Sequence, residues 1–128
     1  MKLIDISYQS GAITGYLNST HEENWQNYLM EFFSQEEVLK IKEYLLSLNI
    51  QELVVLKNLS MDLQDKGKGI GSKLLIEFIN EASGVPILLV CDNLEIQKEG
   101  FVLSTWYESY GFETLPFKCL SGPLMLLR

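Results

Sequence analysis

The sequence predicts an α/β (α+β) domain, a central mixed and twisted β-sheet flanked by helices in the order ββααβαβαββ. Three observations carry that prediction. Apolar residues alternate with polar ones at the N-terminus, as in a half-buried strand. Four later segments repeat apolar residues at helical spacing. Between Leu53 and Cys91 the chain reads strand, glycine loop, helix and then a continuous apolar strand; a right-handed crossover makes those two strands parallel.

Each element follows in turn. Met1 to Tyr8 alternates through Leu3, Ile4, Ile6 and Tyr8, and Gln9-Ser10-Gly11 turns the chain into a second strand over Ala12 to Leu17. Thr20 with Glu23, and again Ser34 with Glu37, is the capping-box spacing, in which two side chains satisfy the exposed N–H groups of a helix start. Trp25, Tyr28, Leu29, Phe32 and Phe33 form the apolar face of the first helix. Val38, Ile41, Leu45 and Leu48 form that of the second, which stops at Asn49. Leu53 to Met61 is rich in β-formers. Ile70, Leu74, Leu75, Phe78, Ile79 and Ala82 share one face of a third helix that runs to Ser83-Gly84. Ile87 to Cys91 is the doubly covered strand. After a polar loop over Asp92 to Glu99, Phe101, Val102, Trp106 and Tyr110 mark a fourth helix closed by Gly111 at C′. Phe112 to Lys118 and Pro123 to Leu127 close the sheet.

Composition narrows the function classes. With 128 residues, 47% of them hydrophobic and 21% charged, the chain has enough apolar material for one real core. It shows no internal repeat and no low-complexity tract. A net charge of −7 disfavours nucleic-acid binding, where Lys and Arg supply most of the affinity, and favours a cationic partner. The longest apolar run, Val85 to Cys91, is too short to span a bilayer, and MKLIDISYQSG lacks the apolar core of a signal peptide. Two cysteines, Cys91 and Cys119, do not make a disulfide framework, and no Cys/His cluster has metal spacing. The expectation is a cytoplasmic protein without a membrane partner, a monomer or homodimer.

The chemistry starts at Lys66–Leu75, KGKGIGSKLL. Glycines let backbone N–H groups face a ligand with no Cβ in the way, and a helix starting near Ile70 adds its positive end, so the loop suits a phosphate or pyrophosphate. A Walker A loop needs Lys directly after its last Gly, but Gly71 is followed by Ser72 and then Lys73. A dinucleotide fingerprint through Gly67 and Gly69 needs a third glycine where Ser72 stands, although Asp92 could mimic its ribose-binding acid.

Lys66-Gly67-Lys68-Gly69-Ile70-Gly71 does match R/Q-x-x-G-x-G/A, with Lys66 in place of Arg or Gln, and Gln64 to Gly69 matches it in a second register. This resembles the pyrophosphate loop of the GCN5-related N-acetyltransferases (GNAT). Tyr107, Gly111 and Phe112 in WYESYGF match a Y-x-x-x-G-F pattern of the same family, one helix and one strand farther on. The resemblance covers about Leu53 to Glu113 and implies a single GNAT-like domain over residues 1–128.

The resemblance implies acetyl-CoA as the donor and an amine as the acceptor: a protein lysine or N-terminus, or a small cationic amine. Cofactor contacts would come from Met61, Asp62 and Leu63, from Lys66, Gly67, Lys68, Gly69, Ile70, Gly71 and Ser72, and from Asn93. Tyr107 would be the general acid to the departing thiol, since a phenol's ordinary pKa of about 10 lies above a thiol's, about 8.5. Glu52 would be the general base, with Asp62 behind it. LEIQKEG lengthens the loop where relatives carry an Asn nearer the tyrosine. The acids Glu22, Glu23, Glu31, Glu36 and Glu37 would draw a cationic acceptor to the first two helices. An alternative is a non-catalytic CoA-binding or protein-interaction module on the same fold; an acetyltransferase toxin acting on charged tRNA fits poorly with the negative charge.

Overall fold

The computed structural model describes residues 2–60, 69–94 and 101–128. The elements follow the predicted order: β1 (Lys2–Tyr8), β2 (Gly11–Ser19), α1 (Asn24–Leu29), α2 (Gln35–Ser47), β3 (Glu52–Ser60), α3 (Ile70–Ala82), β4 (Ile87–Val90), α4 (Leu103–Glu108), β5 (Glu113–Lys118) and β6 (Pro123–Leu127). The strands form one mixed sheet in the order β1-β2-β3-β4-β6-β5. β3 and β4 are its parallel pair; every other neighbouring pair is antiparallel.

Each face of the sheet carries its own core. On one face, Ile13, Val54, Leu56, Ile87 and Leu89 pack against Leu74, Leu75 and Phe78 of α3 and Tyr107 of α4. On the other, Tyr16, Leu53, Val55 and Leu88 pack against Trp25 and Leu29 of α1 and Val38, Ile41 and Leu45 of α2. Strand alternation sends successive side chains to the two cores, which is why β3 and β4 read as unbroken apolar runs. Gly15 lets α3 approach β2: a Cβ there would stand 2.6 Å from Phe78 Cζ and 2.2 Å from Val55 O.

Helix ends follow local chemistry where the partners are local. Ser34 and Glu37 form the expected reciprocal box at the start of α2, with bonds of 3.2 and 3.1 Å. Asn49 adopts φ 62° beyond α2, with Asn49 N–H donating to Leu46 O and Ile50 N–H to Leu45 O. That is a Schellman ending, and its flanking residues, Leu45 and Ile50, are both buried.

The Thr20–Glu23 box does not form. α1 begins only at Asn24, its N-cap Glu23 makes no side-chain cap bond, and the buried Thr20 hydroxyl donates instead to Ile50 O at 2.8 Å. Thr20 N–H also donates to Gln51 O, so this residue ties the end of β2 to the start of β3. α1 itself is a six-residue helix that ends before Phe32 and Phe33. α4 is shorter than its apolar pattern implies, too. Phe101 and Val102 precede it and are 41% and 54% exposed, so they are not part of its packed face. No helix among the described residues is long and apolar enough to cross a membrane.

Candidate functional site

The site begins with a fault in the β2–β3 ladder. Thr14 pairs with Asn58 and Gly15 with Leu56, which leaves Lys57 as an extra, unpaired residue. A bulge of this kind bends its strand and increases its twist. β3 and β4 pair only at Val54–Ile87 and Val55–Leu88, just before the bulge; beyond it the strands part. The gap is a cleft of about 300 Å³. One wall is β3 from Leu56 to Ser60; the other is Leu89 and Val90 of β4, followed by Asp92. Leu103 and Tyr107 of α4 reach it from one face of the sheet, and Tyr28 and Phe32 from the opposite face.

At the far end of β3 stands the start of α3. A Cβ on Gly11 would lie 2.8 Å from Ile70 Cγ2 and 3.3 Å from Ser60 O, which shows how closely helix start and strand end approach. Gly69 is the N-cap, with φ 83°, a left-handed conformation that glycine adopts without strain. It supplies no side-chain cap, and a Cβ built on it would meet nothing within 4 Å. The first helical bond runs from Lys73 N–H to Gly69 O, so the N–H groups of Ile70, Gly71 and Ser72 have no acceptor within the helix. The first turn carries no acidic residue, and Lys73 follows it, its Nζ 4.3 Å above the Tyr8 ring. Among the described residues, nothing caps this positive helix end, and it adjoins a cleft walled by strand backbone that β4 does not pair. The arrangement suits a thin ligand with amide groups along its length and an anion at one end.

Tyr107 is held by the way α4 ends. Phe112 N–H donates to Tyr107 O at 3.3 Å, Gly111 N–H donates to Glu108 O at 3.0 Å, and Gly111 has φ 98°. These are the two bonds and the left-handed C′ residue of a Schellman motif, with Tyr107 at C3 and Phe112 at C″. The hydrophobic contact that accompanies the motif is present, the two rings meeting edge to face at 5.4 Å. Y-x-x-x-G-F is therefore first of all a helix-ending signal, and it leaves Tyr107 4% exposed in the cleft wall.

The other sequence candidates are distributed as follows. Gly69, Ile70, Gly71 and Ser72 form the open helix start. Met61, Asp62, Leu63, Lys66, Gly67 and Lys68 lie outside the described residues. Asn93 Oδ1 accepts from Ser104 N–H at 3.3 Å and from Cys91 Sγ at 3.4 Å, so this side chain ties the end of β4 to the first turn of α4. Val102, the N-cap of α4, contributes no side-chain bond of its own. Glu52 is exposed at the opposite end of β3, about 13 Å along the strand from Leu56 at an ordinary rise per residue. Among the described residues, Asp92 is the carboxylate that lines the cleft. Burial, with the charges of Asp92 and Glu108 adding to it, pushes the Cys91 thiol up to about 12, so it packs as a neutral group.

The pattern reading passed over Tyr28 and Lys57. Burial, then Glu31, Tyr16 and Cys119, pushes the Tyr28 hydroxyl up to about 12; it donates to Lys57 O at 3.3 Å and pins α1 above the bulge. The available signal was Lys57-Asn58, two successive polar residues interrupting an apolar strand.

No family model matches the sequence, and a search of curated proteins finds no match. Solved structures do match. The anti-CRISPR protein AcrVA5 superposes with a TM-score of 0.57 at 19% identity over 100% of both chains. An agmatine N-acetyltransferase mutant has a TM-score of 0.57 at 7% identity, over 91% of this chain and 67% of its own. An N-acetyltransferase from Staphylococcus aureus Mu50 has a TM-score of 0.54 at 20% identity, over 98% and 68%. At such identities the likeness is one of fold. The fold is GNAT-like, the architecture of acetyltransferases.

Proposed function

We propose that this chain is a cytoplasmic N-acetyltransferase that uses acetyl-CoA and acetylates a small amine. The observation that carries the reading is the open start of α3 beside the β3–β4 cleft, with Tyr107 in the cleft wall. The residues fit the donor: the uncapped N–H groups of Ile70, Gly71 and Ser72 would hold its pyrophosphate, and the unpaired edge of β3 would pair with the amides of its arm. By resemblance, Met61 to Leu63 and Lys66 to Lys68 complete those contacts.

Bound acetyl-CoA supplies an acetyl thioester, whose C–S bond breaks as a C–N bond to the acceptor forms, the amine releasing one proton and the sulfur taking one up. Tyr107 holds its phenolic proton for that sulfur and recovers one from solvent afterwards. Asp92, the carboxylate at the cleft, receives the acceptor's proton directly or through water. Asn93 positions Tyr107 by fixing the first turn of α4 to β4. The Drosophila melanogaster polyamine N-acetyltransferase, TM-score 0.56 at 10% identity over 91% of this chain and 67% of its own, and the agmatine enzyme act on small amines, which supports that acceptor class over a protein lysine.

The test is CoA release with a panel of amines, alongside thermal stabilisation by acetyl-CoA. Tyr107→Phe is expected to lower kcat by about 100-fold or more while retaining the stabilisation. An unchanged kcat would remove Tyr107 from the mechanism. Cofactor binding with no turnover on any amine would leave the non-catalytic module.

A further inference from the structure

A second cavity, of about 580 Å³, lies against the cleft on the α1 side of the sheet. Its floor is Leu3, Thr14 and Tyr16 with the backbone of Gly15; α1 and the turn after it roof it with Asn24, Asn27, Tyr28 and Glu31. It shares Tyr28 and Lys57 with the cleft, so the two spaces meet at the bulge. The bulge fixes the Lys57 backbone at this junction through the Tyr28 bond, and Lys57 Nζ stands 6.0 Å from the Tyr28 ring centroid. Glu31 lines this cavity and not the cleft, close enough to Tyr28 and Tyr16 that its charge helps to raise both hydroxyls. Among the described residues neither Lys57 nor Glu31 makes an ion pair.

The charges from one space to the next therefore alternate: the cleft where an amine must arrive, then a cation at the junction, then an anion that lines the second cavity alone. A linear polyamine would set a positive group beside Lys57. A molecule with a carboxylate next to its reacting amine and a cationic tail would meet a complementary charge at each step. We propose that this cavity holds the body of the acceptor and that the acceptor is a small basic α-amino acid, its carboxylate at Lys57 and its side chain toward Glu31. The inference rests on the acetyl-transfer reading for which amine reacts, but the binding preference can be measured without turnover.

The experiment uses pairs that differ only by the carboxylate, arginine with agmatine and ornithine with putrescine. Each is titrated into the full chain by NMR and then assayed for CoA release with acetyl-CoA. Wild type is expected to bind the carboxylated member about tenfold more tightly, Lys57→Gln to abolish the difference and Lys57→Glu to reverse it. Glu31→Gln should weaken arginine severalfold while leaving alanine, which has no cationic tail, unchanged. Both side chains are exposed and an unchanged Tm verifies the fold of the variants. The inference is overturned if agmatine or putrescine binds wild type as well as its partner does, or if Lys57→Glu leaves the order unchanged. If acetyl-CoA neither binds nor turns over while the Lys57-dependent preference holds, the transfer reading fails and the amino-acid site stands.

Discussion

α2 and α3 are both helices of 13 residues, and they begin in opposite ways. α2 starts closed. Ser34 accepts from Glu37 N–H, Glu37 accepts from Ser34 N–H, and Glu36 and Glu37 set two acids against the positive end of the helix. α3 starts open, with Gly69 as its N-cap, no acid in the first turn and Lys73 one turn in. Among the described residues, no side chain neutralises the start of α3, whereas α2 is the helix whose start carries both a capping box and first-turn acids. Closing the helix end is worth about 1 kcal/mol of stability in an ordinary protein. The open start of α3 leaves that stabilisation to be supplied by whatever binds there, whereas α2 needs no ligand. One start is closed by its own side chains; under the acetyl-CoA reading the other is left for a ligand.

The difference can be broken most severely by making α3 resemble α2. Gly69→Asp places a negative carboxylate at the helix start where the reading puts a pyrophosphate. It should cut affinity for acetyl-CoA by about 10- to 100-fold, or about 1.4 to 2.7 kcal/mol. The left-handed φ at Gly69 adds a strain of about 1 to 2 kcal/mol, small against the roughly 5 to 15 kcal/mol typical of a domain, so the protein should remain folded. Isothermal titration with acetyl-CoA, with Tm as the folding control, decides the matter; undiminished affinity would remove the helix start from the cofactor site. The converse change, Ser34→Ala, should cost about 1 kcal/mol in chemical denaturation and leave acetyl-CoA binding untouched.

How much of this could be read from the chain depends on the distance between partners. Ser34 and Glu37 are three residues apart, Asn49 ends a helix through its own backbone, and Tyr107, Gly111 and Phe112 close α4 within six residues; all were legible. The same reasoning failed at Thr20, whose hydroxyl bonds to Ile50, 30 residues away. No spacing rule announces that β2 has reached far enough to claim it. The parallel pairing of β3 with β4 was legible because the doubly buried β4 loses its alternation and a helix crosses between the two strands. The cleft was not, since it depends on a one-residue slip between β2 and β3 that only their pairing creates. Glu52 illustrates the same limit: nearness in sequence to the glycine loop became distance along a strand. Of the acids expected to attract a substrate, Glu37 caps its helix, Glu22 accepts from Ser19 N–H and Glu36 lies 3.8 Å from Lys40, while Glu31 lines a cavity.

The finest test of the two helix starts concerns charge alone. Lys73 is exposed and rests on the Tyr8 ring, a cation–π contact worth about 0.5 to 1 kcal/mol at such a site. Its ammonium also adds to the positive field over the Gly69 end of α3, the reverse of what Glu36 and Glu37 do for α2. Lys73→Gln should therefore weaken acetyl-CoA only a few-fold, far less than Gly69→Asp, because it leaves the backbone donors in place. The loss should shrink as salt is raised from about 0.01 M to about 1 M, where the screening length falls from about 30 Å to about 3 Å. The Gly69→Asp loss should persist, since that change fills the site as well as altering its charge. A Lys73→Gln effect that ignores salt would mean that Lys73 acts by shaping the surface against Tyr8, and that backbone N–H groups alone distinguish the open helix start from the closed one.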